Sequence, residues 1–338
     1  MSDYRRILSY FYGQPWALER SKFDEIEAIL LARAAGERLS DDEIRARIGQ
    51  GQRPPLALWD IEAESFMAAD TIGAPANRQV VAVVGVYGVI THRASMFTQS
   101  SGLTTAEAIG SRMKAAAADP SVRSIVLDAD SPGGTVYGIQ EAAAEIRAAR
   151  AVKPVKAIAN ARAGSAGYWL LTQADEVFVT PSGEVGSVGI FVEHEDRSEA
   201  NVKAGIKVTT IAYGKNKTMG SPNEPLSDEA RADLEKRVAA YGRAFEEDIA
   251  KGRGITAAAV RKGYGQGLMY GAAEALERGM VDKVATLDEV IRRAAGRGKT
   301  PAAVETPPPA TVAVVAGLAE REEAYSVLTR SRTSRGRR

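Results

Sequence analysis

Ser165 lies among small residues, in a pattern that could support nucleophilic chemistry. The segment Ala161–Trp169 reads ARAGSAGYW, and it joins a strand-like run at Val155–Ala159 to a helix-like run at Tyr168–Thr172. The two flanking glycines permit a tight turn and a close backbone approach. Such a turn places Ser165 near a helix N-terminus, where free N–H groups and the helix dipole favour developing negative charge. The same pattern is also typical of close packing at a strand–helix junction, so both interpretations stay open at this point.

A second candidate element is the loop Asp130–Gly134, with the sequence DSPGG, at the end of a strand-like run. Two glycines before a helix leave backbone N–H groups free to point at an anion, as an oxyanion hole requires. A phosphate-binding loop is the rival interpretation, but the GxGxxG and Walker patterns are both missing from this loop. An ordinary strand–turn–helix connection is the third interpretation.

A third candidate element is the polar loop Gly214–Pro222, GKNKTMGSP, which carries Lys215 and Lys217. Lysines in such loops are usually solvated. A serine nucleophile needs a base to take its proton. A lysine can be that base where burial lowers its pKa toward neutrality.

Strand-like and helix-like runs alternate along the chain, which predicts an α/β fold with parallel pairing. The predicted strands are residues 79–86, 124–127, 155–159, 176–179, 190–192, 207–212 and 281–285. The predicted helices are residues 103–118, 138–150, 168–172, 198–204, 228–251, 272–279 and 287–295, with Thr104 or Thr105 and Ser227 as N-caps.

Composition changes divide the chain into three predicted segments. Residues 1–74 form a helical N-terminal extension, because apolar residues recur there at helical spacing and proline and glycine positions interrupt it near its end. Residues 75–296 form the main domain. Residues 297–338 form a proline-rich linker and a basic tail that we expect to be disordered.

Charge and cysteine content narrow the function classes. The 338 residues contain 44 Lys and Arg against 43 Asp and Glu, so the net charge of +1 gives no global field for nucleic acid or membrane. With no cysteine, disulfides, thiol nucleophiles and thiolate metal sites are excluded, and two histidines leave little room for a metal site. The first residues lack a signal-peptide pattern and no apolar run is long enough to span a bilayer. We therefore expect a cytoplasmic protein without cofactor or metal.

Taken together and in this order, the three elements resemble peptidase family S49, the signal peptide peptidase A type of serine protease. The resemblance covers about residues 79–295 and includes the SPGG loop, the GSAGY turn, the later segments ADE and GSVG, and the GKNK segment. It implies a ClpP/crotonase-type β-β-α superhelix, which agrees with the predicted alternation of strands and helices.

Carried over by position, the resemblance implies a Ser-Lys dyad. Ser165 is then the nucleophile and Lys217 the general base, with Lys215 as the competing lysine. Ser187 matches a family serine that hydrogen-bonds the lysine amine, although a turn serine between glycines is the alternative.

The resemblance also implies an oxyanion hole made by the backbone N–H groups of Gly134 and Ala166. Ala166 stands where many members have glycine, a difference that a backbone donor tolerates. Asp128 and Asp130 make the surroundings more acidic than expected, and a carboxylate beside the general base would weaken it and alter the pH optimum.

The leader segment GQPWA at residues 13–17 and VYGVIT at residues 86–91 are similar to phage and prophage head-maturation proteases of the minor capsid protein C type. This second resemblance implies scaffold, portal or capsid-associated proteins as substrates, a homo-oligomer, and action in the bacterial host cytoplasm, inside the procapsid. Contact between the basic tail and nucleic acid is disfavoured because the basic run is short.

Four alternatives remain open on sequence alone. The first is a signal-peptide-peptidase-like cytosolic protease that degrades peptides. The second is a ClpP-type Ser-His-Asp peptidase using His194, which lies in a charged run typical of a solvated turn. The others are a crotonase-type acyl-CoA enzyme without a serine nucleophile and an inactive structural capsid protein.

Overall fold

The structure, a computed structural model, describes Leu8 and residues 11–36, 54–67, 78–93 and 104–296. The predicted linker and tail at 297–338 lie outside the described residues. The strands are β1 Trp16–Leu18, β2 Leu56–Asp60, β3 Ser65–Met67, β4 Val80–Tyr87, β5 Ile90–Thr91, β6 Thr104–Thr105, β7 Val122–Ser131, β8 Gly133–Thr135, β9 Val155–Gly164, β10 Glu176–Val179, β11 Glu184–Gly186, β12 Met269–Gly271 and β13 Lys283–Val284. The helices are α1 Arg20–Ala34, α2 Ala106–Ala118, α3 Ile139–Arg150, α4 Ala166–Leu171, α5 Ser198–Lys203, α6 Asp228–Arg253, α7 Ala257–Gly263, α8 Ala272–Glu277 and α9 Leu287–Ala294.

The larger sheet is built on three long parallel strands, β4, β7 and β9. Its order is β12-β11-β9-β7-β4-β2-β3, and β10 and β13 continue from β9. Alternate side chains of β4 enter two different apolar clusters: Ala82 and Val84 pack with residues of α2 and α3, whereas Val81 and Val83 pack with residues of α9. Burial on both faces explains the nearly continuous apolar sequence of this strand. The predicted α/β class with parallel pairing is confirmed.

Capping side chains fix the starts of several helices. Thr105 accepts a hydrogen bond from Ala108 N–H at α2, Ser227 from Ala230 N–H at α6, and Thr286 begins a capping box with Glu289 at α9. Each cap satisfies a backbone N–H that has no partner within its helix. The predicted N-caps Thr105 and Ser227 are confirmed.

The structure differs from the sequence prediction in several segments. Residues 56–60 and 65–67, expected to belong to a helical extension, are strands, and β2 pairs antiparallel with β4 inside the larger sheet. Residues 190–192 make only an isolated bridge from Phe191 to Trp16. Residues 207–212, predicted as a strand, have no strand structure and are exposed. A segment rich in residues with high β-propensity becomes a strand only where a neighbouring strand is available to pair with it. That partner is set by the tertiary structure.

The smaller sheet has the order β1-β8-β5-β6. In it β8 pairs parallel with β5 through Gly134 and Ile90 and antiparallel with β1. A Cβ at Gly134 would stand 1.9 Å from Ile90 O, so only glycine fits there. Leu8 and residues 11–36, called the leader below, are therefore attached to the main domain by strand pairing. Within the residue ranges given above, no helix has the length and apolar character needed to cross a bilayer.

Helix α6 offers a matched pair of glycine substitutions. A Cβ at Gly252 would stand 1.9 Å from Thr172 O, whereas a Cβ at Gly242 meets no atom within 4 Å. We expect Gly252→Ala to lower the free energy of unfolding by about 2 kcal/mol or more, because backbone must move. Gly242→Ala should raise it by about 0.5–1 kcal/mol through helix propensity. Urea unfolding of both variants checks the pair, and equal effects would contradict the close approach of α6 to Thr172.

Candidate active site

Ser165 occupies a strained turn between β9, which ends at Gly164, and α4, which begins at Ala166. Its backbone has φ 50° and ψ −115°, a conformation that non-glycine residues rarely adopt. The turn is held because Ser165 N–H donates to Gly186 O at 2.8 Å. A serine on a strained strand-to-helix turn is typical of hydrolase nucleophiles, and strain of this kind concentrates at active sites.

The helix that follows Ser165 is fixed in the core. The indole of Trp169 stacks on Phe245, with ring centroids 4.3 Å apart and planes 9° apart. Its Nε1–H donates to Asp248 at 3.0 Å, and Tyr168 OH donates to Met280 O at 2.8 Å. Burial also raises the pKa of Tyr168 well above its ordinary value, so that the hydroxyl stays a donor. These contacts hold the serine turn on a rigid support.

The SPGG loop contacts the serine turn, as expected from the sequence. Gly133 has φ 101°, and a Cβ there would stand 2.9 Å from Ser165 Cβ and 3.1 Å from Ala166 N. A Cβ at Gly167 would likewise stand 3.2 Å from Ser131 Cβ. The loop and the turn therefore approach so closely that side chains at these glycines would separate them.

Ser187 lies beside the serine turn. The parallel pair β9 and β11 sets Gly186 opposite Gly164, so Ser165 and Ser187 follow the ends of two adjacent strands. Ser187 has φ 53°, and its N–H donates to Leu268 O at 2.7 Å. The structure thus brings Ser165, Ser187, Ala166 and the SPGG loop to one end of the larger sheet.

Lys217 is exposed in this single copy of the chain. It lies in a turn in which its N–H donates to Gly214 O at 3.1 Å. The Oγ of Ser165 is buried and has no hydrogen-bond partner among the described residues, so the Lys217 amine does not reach it here. The competing Lys215 forms an ion pair with Glu229 at 3.3 Å.

His194 and Asp128 have hydrogen-bond partners other than Ser165. His194 Nε2 is 3.3 Å from Ser221 O, and Asp128 accepts a hydrogen bond from Tyr87 OH at 2.6 Å. Across the ranges that the structure describes, no cluster of three or more His, Asp or Glu could hold a metal ion.

The structure adds two leader residues that sequence reasoning missed. A Cβ at Gly133 would stand 2.2 Å from Ala17 O, and a Cβ at Gly164 would stand 2.2 Å from Glu19 Oε1. The other carboxylate oxygen of Glu19 accepts from Arg162 at 3.1 Å. Trp16, Ala17 and Leu18 form a short apolar run that is compatible with a strand, but three residues are too few to predict one.

Burial raises the pKa of Glu19, an effect that Arg162 and Lys22 partly offset and that Glu184 reinforces. A carboxyl whose folded-state pKa is raised stabilises the fold below its unfolded pKa and loses that contribution as pH rises through the folded value. We expect the free energy of unfolding of Glu19→Gln, taken relative to wild type, to be higher at about pH 7 than at about pH 4, because the glutamine has no charge to bury. Urea unfolding at both pH values measures this difference, and an unchanged difference would show that Glu19 is not desolvated.

The chain is similar to a known peptidase family and to two phage proteins. Residues 147–300 match the model of Peptidase family S49. The chain is 32% identical over 211 residues to the capsid assembly protease C of Escherichia phage lambda, covering 62% of this chain and 48% of the relative. It is 31% identical over 232 residues to the head-tail preconnector protein GP5 of Enterobacteria phage P21, covering 68% of this chain and 46% of the relative.

A third relative, a putative signal peptide peptidase SppA of Enterococcus faecium, is 26% identical over 226 residues, covering 66% of this chain and 64% of the relative. The chain thus spans about half the length of the two phage relatives it matches. The family resemblance expected from the sequence is confirmed: residues 147–300 are similar to peptidase family S49.

Proposed function

We propose that this chain is a serine endopeptidase with Ser165 as its nucleophile. The observation that carries the proposal is the strained strand–helix turn at Ser165, packed against the glycine loop Gly133–Gly134. The S49 match and the protease names of the relatives support a peptidase of the serine class. His194 offers no comparable support as a base, since its ring contacts Ser221 O.

The proposed reaction uses Lys217 as the general base. Its neutral amine takes the proton of Ser165 Oγ while Oγ attacks the peptide carbonyl carbon, and the hydroxyl of Ser187 accepts a hydrogen bond from the lysine amine. Backbone N–H groups of Gly134 and Ala166 stabilise the oxyanion. The leaving amine departs with the proton held by the lysine, and water then hydrolyses the acyl-enzyme.

A homo-oligomer would supply the environment that this base needs. A lysine is an effective base only where a low-dielectric environment lowers its pKa. The chain before Lys217 exposes large apolar side chains, with Ile211 96% and Tyr213 102% exposed, and Val202, Ile206 and Val208 belong to the same segment. Exposed apolar patches of this kind are typical of interaction surfaces. We propose that a second copy of the chain covers this segment and buries Lys217.

We propose capsid-related proteins, including scaffold and portal proteins, as substrates. The phage relatives named for capsid assembly and the head-tail preconnector support this class. The place of action would then be the bacterial host cytoplasm, inside the procapsid. We also retain the ClpP/crotonase-type superhelix as the fold, supported by the parallel strands β4, β7 and β9 with intervening helices.

The test compares wild type with Ser165→Ala. Each protein is incubated alone and with candidate capsid-related proteins, and the fragments are identified by intact mass. Fragments that form only with wild type support the proposal, and identical fragments from both proteins would overturn it.

A further inference from the structure

Strand β1 lies along the edge of β8 that runs past Ser165. Its antiparallel register sets Ala17 opposite Gly134, and Glu19 N–H donates to Pro132 O at 2.9 Å. Antiparallel pairs alternate between those that exchange both backbone hydrogen bonds and those that exchange none. Because the Glu19 position is of the bonded kind, the Ala17 position two residues earlier is also bonded. The register therefore points Gly134 N–H toward the carbonyl oxygen of Ala17.

This leader carbonyl lies where a substrate carbonyl would be polarised. Gly134 N–H is one of the two proposed oxyanion donors. The second donor, Ala166 N, and the Cβ of Ser165 stand 3.1 Å and 2.9 Å from the position that a Gly133 Cβ would take. The oxygen of Ala17 stands 2.2 Å from the same position. A carbonyl of the chain itself thus shares one small volume with the nucleophile and both donors.

The other edge of β1 is also hydrogen-bonded. Trp16 N–H donates to Phe191 O at 2.8 Å, and Phe191 N–H donates to Trp16 O at 3.1 Å. An extended segment bonded along both edges is held as a bound peptide is held in β-augmentation. The side chain of Ser165 beneath it has no solvent exposure. In this conformation a polypeptide substrate has no access to the nucleophile.

The leader packs mainly against itself, which allows it to leave the groove as a unit. Its buried apolar cluster consists of Leu8, Phe11, Trp16, Leu18, Phe23 and Leu30, to which the main domain adds Val89 and the partly buried ring of Phe191, 5.1 Å from that of Phe23. Two buried oxygens of the leader, Gln14 Oε1 and Glu19 Oε1, have no hydrogen-bond partner in the described part of the chain. Buried polar atoms without partners weaken the attachment.

We propose that Trp16–Glu19 is an internal inhibitory strand that occupies the peptide-binding groove and that a substrate must displace. The proposal rests on the proposed serine peptidase function and adds its regulation. Only molecules whose leader has left the groove bind substrate, so the apparent rate is scaled by the fraction in that open state.

The absence of native cysteine permits a reversible lock. Trp16 and Thr135 are opposed at a position without mutual hydrogen bonds, where Cα atoms are about 4.5 Å apart and a disulfide can form. The double variant Trp16→Cys/Thr135→Cys is compared in its oxidised and reduced states. The probe is a tripeptidyl diphenyl phosphonate: Ser165 Oγ bonds to phosphorus, and phenol leaves with the serine proton. Intact mass measures the adduct.

We expect oxidation to slow adduct formation at Ser165 by at least about tenfold, because the lock removes the open population. In wild type and in the single variants Trp16→Cys and Thr135→Cys, the rate of adduct formation should be the same under oxidising and reducing conditions. Equal rates in the two states, with the disulfide confirmed by mass, would overturn the inhibitory strand and make β1 a permanent wall of the groove.

A second measurement tests the proposal without the double variant, in case that variant does not fold. In full-length wild type, hydrogen exchange at residues 16–19 is compared before and after phosphonylation. Loss of protection in the adduct supports displacement, and unchanged protection overturns it. If wild type and the reduced double variant form no more adduct than Ser165→Ala does, the proposed function is wrong. The inhibitory strand is then wrong as well.

Discussion

Ser165→Ala should reduce peptide cleavage by about 10⁴-fold or more, to the level left by binding and the oxyanion donors alone. The substitution removes the attacking oxygen and introduces no atom that could disturb the turn. Since Ser165 Oγ has no hydrogen-bond partner among the described residues, its loss breaks no observed contact. The measurement is the rate of fragment formation, together with urea unfolding, which should be nearly unchanged.

Ser124→Ala is the matched control. Its hydroxyl is also buried, but it donates to Ala294 O at 2.8 Å, between β7 and α9. We expect this variant to lose about 1 kcal/mol of unfolding free energy and to keep its cleavage rate. If Ser165→Ala cleaves as fast as Ser124→Ala, Ser165 is not the nucleophile.

The elements that sequence reasoning predicted correctly are those whose signals are local. Strand β4 carries a continuous apolar run, and β7 and β9 contain shorter ones, because the central residues of these strands are buried on both faces. Helix α6 begins at a serine cap and ends at Gly254, and both signals lie within a few residues of the helix. The contact between the SPGG loop and the serine turn follows from two neighbouring parallel strands that end at the same edge.

The features that sequence reasoning missed depend on partners far away in the chain. Strand β1 is only three residues long and exists because β8, more than a hundred residues later, offers an edge. Residues 207–212 have a strand-like composition, but no described strand pairs with them. Glu19 could not be placed near Gly164 from the sequence, because no local pattern connects the leader with the serine turn.

Lys217 is the proposed general base. Lys217→Ala should lower the cleavage rate at neutral pH by about 10²–10⁴-fold, the usual contribution of general-base catalysis. Lys217 is exposed in a single copy, so its loss should leave the free energy of unfolding of that copy nearly unchanged. The measurement is the cleavage rate at equal protein concentration, with the oligomeric state checked by light scattering.

Lys215→Ala is the matched control, two residues away in the same loop. It removes an ion pair with Glu229 in which both side chains are mostly exposed, and such pairs contribute little to stability. We expect this variant to retain most of its activity. We expect the same of His194→Ala, because the His194 ring lies 3.3 Å from Ser221 O and has no described contact with Ser165. If Lys215→Ala is inactive and Lys217→Ala is active, the base is the other lysine. If His194→Ala alone is inactive, the Ser-Lys dyad is replaced by a serine–histidine mechanism, and the copy that covers residues 202–213 is no longer needed to explain catalysis.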